Sequence, residues 1–122
     1  MARKQILAPP RGTGVNGGKL WRNVLGQYEL EEHELALLRE VVRTVDLLDK
    51  LHAITAREGL MVEGPHGSKP HPAVVEARQA RIALARLTAA LRLPAGDEDD
   101  QAAGRRQPQR RVGMRGFYAV GS

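Results

Sequence analysis

Cysteine is absent from the chain, which excludes a disulfide framework and a thiolate metal site. Aromatic residues are almost absent: Trp21, Tyr28, Phe117 and Tyr118 are all there are. Any core must therefore be aliphatic, chiefly Leu, Val and Ala. No apolar run reaches the ~18 residues that would mark a membrane span, so no membrane partner is expected. The opening MARKQILAPPRG carries charge but no apolar stretch adequate for a secretory signal, and a cytoplasmic location is expected. Acidic residues are missing after Asp100, which sets the last segment apart from the rest.

What is present is positive charge. The net charge is +5, the pI is about 10.2, and Arg far outnumbers Lys. This balance favours an anionic partner, nucleic acid first, although solvated surfaces also carry such charge.

The pattern along the chain predicts a mainly α fold. A flexible basic arm is expected over 1–17, where APPRGTGVNGG is rich in Gly and Pro. A short helix over 18–27 follows, with Leu20, Trp21, Val24, Leu25 and Tyr28 on one face. The longest helix is expected over 31–58. Glu31, Glu32 and Glu34 suit the positive end of its dipole, and Gly59 suits its end. Leu35, Leu37, Leu38, Val41, Val42, Val45, Leu48 and Leu51 share its broad apolar face. Two short strands around Pro65-His66-Gly67 read as a small β-hairpin. Pro72 then opens a helix over 72–92, whose buried face is Ala73, Ala77, Ala80, Leu84, Leu87 and Leu91. The expected architecture is thus a short helix plus a long antiparallel helical hairpin, joined by a β-hairpin or loop, with a core over 18–94. Residues 95–122 read as a disordered, charge-segregated tail, with DEDD ahead of an Arg-rich stretch.

Catalytic constellations fail one after another. HELALLRE begins like a zinc-protease helix, but Leu37 stands where the second His is required. His66 and His71 could supply half a zinc site, or serve as a turn residue and a helix-start residue. GTGVNGGK has glycines and a lysine but lacks the phosphate-loop spacing and its Ser or Thr. No enzyme, metal or cofactor is expected.

Three surfaces remain as binding candidates. Arg39, Arg43, Lys50 and Arg57 fall in a narrow strip on the long helix, fit to meet phosphates. A solvated face, balanced by Glu40, Asp46 and Glu58, is the plainer alternative. Arg105, Arg106, Arg110, Arg111 and Arg115 make the tail the better electrostatic candidate for duplex DNA, or simply a solubilising tail. Its aromatic pair Phe117 and Tyr118 suggests a docking element for a partner. Finally, Leu47 and Ile54 on one helix, and Val75 and Ile82 on the other, are apolar away from the main faces. Such second stripes are explained by packing on a neighbouring subunit.

Several pieces occur together: LWRNVLGQYELEEHELALL, Asp46 in the long helix, a Gly-bearing hairpin ending in HP, and a Leu-rich helix closing with LRLP. In this order they resemble the small terminase subunit family of tailed bacteriophages and prophages, over about residues 18–94. The RGFYAV tail also looks like tails in that family, whereas LRLPAGDEDD departs from the LGLTP found in many members. The resemblance implies a homo-oligomeric ring that engages packaging-site DNA and regulates a large terminase subunit. That large subunit carries the ATPase and nuclease. A small helical DNA-binding regulator and a protein-only adaptor are the rival expectations.

Overall fold

A computed structural model describes residues 5–93 and the dipeptide 110–111. Its elements are α1 (Val15–Gln27), β1 (Tyr28–Glu29), α2 (Glu32–Glu58), β2 (Met61–Gly64), β3 (Gly67–Pro70), α3 (Pro72–Leu91) and β4 (Arg110–Arg111). The mainly helical architecture is as expected. α2 and α3 form the antiparallel hairpin, the β2–β3 pair joins them, and α1 packs on α2.

Local chemistry explains where each helix begins and stops. α2 starts with a reciprocal capping box. The Glu34 side chain accepts from the Glu31 backbone N–H at 2.7 Å, and the Glu31 side chain accepts from that of Glu34. Two N–H groups left open by the helix start are thereby satisfied. Gly59 ends α2 at φ 91°, a backbone conformation that side chains with a Cβ rarely adopt. Between the helices, β2 and β3 pair from Met61↔Pro70 to Gly64↔Gly67, and Ser68 donates to the Glu63 carboxylate across the strands. α3 opens with Pro72 at its first turn and ends at Arg92, which takes the left-handed conformation.

Two core clusters lie along the hairpin. The first joins Trp21, Val24, Leu25 and Tyr28 to Leu35, Leu38, Val41 and Val42 of α2 and Leu91 of α3. Trp21 is 2% exposed, while Leu38 and Val42 are wholly buried. Each such side chain contributes about 1.5–3 kcal/mol relative to exposure. The second cluster sets Leu48 and Leu51 against Ala73, Ala77 and Ala80. The small alanines bring the two helix backbones close together.

Two expectations are corrected. α1 begins at Val15, not 18, inside the arm expected over 1–17. The cause is a remote carboxylate, described below. The preceding residues are tied down as well, since the Leu7 carbonyl accepts from the Trp21 indole N–H at 2.7 Å. Second, Ile54 is half-buried against the Leu48–Leu51–alanine cluster instead of standing on an outer stripe. Three positions beyond Leu51, it remains on the flank of α2 that α3 covers. Within the tail expected over 95–122, the described dipeptide forms β4. Arg111 pairs with Tyr28 and Arg110 with Glu29, antiparallel. β1 is an extended segment between two helices, and its open edge is what a passing strand can complete.

Candidate functional site

The junction of α1 and α2 is organised by one carboxylate. Gly14 precedes α1 as its N-cap but has no side chain with which to cap it. Asp46 of α2 does this instead. Its Oδ2 accepts from the Gly14 N–H at 2.8 Å and its Oδ1 from the Gly17 N–H at 3.0 Å. A negative charge there also complements the positive end of the α1 dipole. Close approach requires glycine: a Cβ on Gly17 would lie 2.5 Å from Asp46 Oδ2. Asn16 adds a second tie, donating to Asp49 Oδ2 at 2.8 Å.

The chain ahead of α1 turns sharply. Thr13 donates its backbone N–H to the Pro10 carbonyl at 3.1 Å, and Gly12 lies at φ 85°. That positive φ is what a type II turn demands at its third position. The turn brings Arg11 over α2. Arg11, Gly12 and Thr13 line one open cleft with Arg43, Asp46, Leu47 and Lys50. With both Asp46 oxygens committed to α1, the rim carries three cations.

The expected basic strip is therefore divided. Arg39 lies 3.9 Å from Glu32, Arg43 pairs with Glu40, and Arg57 lies 3.5 Å from Glu58. Among the described residues, no ion pair joins Lys50 or Arg11. Lys50 and Arg43 stay in the cleft, Arg39 and Arg57 do not line it, and Arg11 joins them from the basic arm expected over 1–17. Its charge was legible in the basic arm, but its place beside α2 depends on the turn at Pro10–Thr13. Of the tail cations, Arg110 and Arg111 lie on β4. Arg105, Arg106, Arg115, Phe117 and Tyr118 lie outside the described residues.

The two histidines of the inter-helix segment have separate positions. His66 is exposed at the hairpin tip. His71 caps α3: its Nδ1 accepts from the Ala73 N–H at 2.9 Å, and its Nε2 lies 2.8 Å from Glu58 Oε1. Because Nδ1 must offer a lone pair to Ala73, the ring proton sits on Nε2 and is donated to Glu58. That hydrogen bond, with the nearby guanidinium of Arg57, holds the Glu58 carboxyl below its ordinary pKa. Both ring nitrogens are thus occupied in joining the ends of α2 and α3. Among the described residues, no three His, Asp or Glu side chains converge as a metal site.

The apolar stripes are partly free. Val75 and Ile82 are 36% and 44% exposed, on the side of α3 opposite its buried alanines. Leu47 is 45% exposed beside the basic cleft. Among the described residues, no helix is long and apolar enough to cross a membrane. The chain matches no known family, and neither a curated protein nor a solved structure is significantly similar to it.

Proposed function

We propose that the chain is a non-catalytic assembly subunit of the small terminase type, forming a ring that engages duplex DNA in the host cytoplasm and regulates a large packaging subunit. The observation that carries the reading is the Val75–Ile82 stripe. α3 has already filled its own core with Ala73, Ala77, Ala80 and Leu91, yet keeps two large aliphatic side chains in water one helical heptad apart. A body of this size buries a limited core and gains from association. Repeated head-to-tail contact of such a stripe with a different surface closes a ring when the rotation permits.

The cleft of Arg11, Arg43 and Lys50 supports contact with a phosphate backbone. Copies around a ring would multiply such contacts through high effective concentration. The resemblance of the sequence order to small terminases supports a large packaging subunit as the partner.

The test is functional. Full-length protein is mixed with duplex DNA carrying the packaging site, and with its cognate large subunit. The expected results are retention of DNA that weakens steeply with salt, and altered ATP hydrolysis by the large subunit. Arg11→Glu/Lys50→Glu should flatten the salt dependence, by about 0.9 in log–log slope for each phosphate no longer neutralised. Binding to neither partner would reject the proposal. Salt-insensitive association with proteins alone would favour an adaptor.

A further inference from the structure

A second concavity, at the corner of α1, β1 and α2, shares no lining residue with the basic cleft. It is mainly apolar, with Ile6, Leu7, Leu25, Leu30 and Leu35 around Tyr28 and the polar Gln5 and Glu29 at its margin. Ile6 and Leu7 are 38% and 57% exposed at its rim. The N-terminal segment forms one wall, secured by the Leu7–Trp21 hydrogen bond. Ile6 Cδ1 lies against Gly26 of α1 on the same side, 3.9 Å from where a Cβ would stand. The groove therefore joins the first segment of the chain to the α1–β1–α2 corner, with aliphatic side chains facing open space.

β1 runs along this groove and contributes Tyr28. It pairs with β4, so the chain arrives at the groove from its C-terminal part. The pairing is antiparallel with Arg111 opposite Tyr28. This register directs the strand from Arg110 to Arg111 past Tyr28 toward Leu25, another lining residue. Phe117 follows six positions later in the sequence. Six extended residues span at most about 20 Å, ample to reach across an opening this small. Phe117 and Tyr118 are also the only adjacent aromatics in the chain, and an aliphatic groove is the surface that would shelter them from water.

We propose that this groove is the seat of Phe117 and Tyr118 of the same chain. The tail then acts as a strap: the β1–β4 pairing sets its direction, and the aromatic pair anchors it over Leu25, Leu30 and Leu35. The inference is independent of the terminase reading, since it concerns only where the chain's own terminus binds.

The test uses the full-length protein with Tyr118 replaced by photoreactive p-benzoylphenylalanine. Isotopically labelled and unlabelled chains are mixed before irradiation, and the cross-links are mapped by mass spectrometry. The expected products lie within one chain and reach Ile6, Leu7, Leu25, Leu30 or Leu35. In parallel, Phe117→Ala/Tyr118→Ala should accelerate amide exchange at Leu7 and Leu30 by about tenfold or more, as removal of a buried aromatic anchor would. Cross-links running only between labelled and unlabelled chains would overturn the proposal. So would cross-links confined to other surfaces, or amide exchange unchanged by the double substitution.

Discussion

The two ends of the α2–α3 hairpin are held by different means. At the α1 end, large side chains fill a three-helix core around Trp21, and the Asp46 carboxylate fixes the start of α1. At the β-hairpin end there is no third helix. Leu48 and Leu51 meet three alanines, and the closing contact is the exposed pair His71–Glu58. The first end is held by volume and a half-buried polar clamp, the second by close backbone approach and a surface hydrogen bond. This difference separates the cationic cleft, which belongs to the clamped end, from the bare stripe on the back of α3.

Breaking the first end should have the largest effect. Trp21→Ala removes the central ring of the three-helix cluster and its hydrogen bond to Leu7. Denaturant unfolding should show a loss of about 3–5 kcal/mol. Asp46→Ala comes next, because both α1 N–H groups lose a charged acceptor, at about 1.5–3 kcal/mol for the bond network. α1 should then fray to near Gly18, seen as fast amide exchange at Gly17 through Leu20. Gly17→Ala should act in the same direction, since its Cβ displaces the same carboxylate.

At the second end, Ala77→Leu tests whether close approach is what holds the helices. Overpacking there should cost about 1–3 kcal/mol while leaving the Trp21 environment unchanged by fluorescence. The smallest effect belongs to Glu58. Its folded pKa is lowered, so its contribution is full above the ordinary carboxylate value and is lost as pH falls through the lowered one. Glu58→Gln should remove this acid-side component from a profile of melting temperature against pH. A wild-type profile identical to that of the variant would show that the pair contributes nothing.

Much of this contrast was legible in residue spacing, and some was not. The buried faces of α2 and α3 follow 3.6-residue periodicity, so Leu38, Val42, Ala73 and Ala77 were readable as core. The start of α1 was unreadable because its cap is Asp46, 29 positions beyond Gly17. A glycine pair in a first turn reads as loop until that carboxylate is in place. Ile54 was misplaced because a helical wheel assumes one constant facing direction. In the fold, the flank of α2 covered by α3 extends to it. Arg43 and Lys50 of the cleft were evident from spacing, but Arg11 joins them only through the Pro10–Thr13 turn. The β1–β4 pairing joins segments more than eighty positions apart, beyond any local pattern.

The bare stripe on α3 is proposed as an assembly surface. Native mass spectrometry of the full-length wild type beside Val75→Asp/Ile82→Asp tests it most directly. Both substitutions lie on an exposed helical face, so each chain should keep its helical circular dichroism. A buried, unpaired carboxylate at a subunit interface costs several kcal/mol, which should be enough to dissolve an assembly held by this stripe. One closed high-order species is expected for the wild type and small species for the variant. A wild type that is monomeric at micromolar concentration, or a variant assembly of unchanged mass, would contradict it.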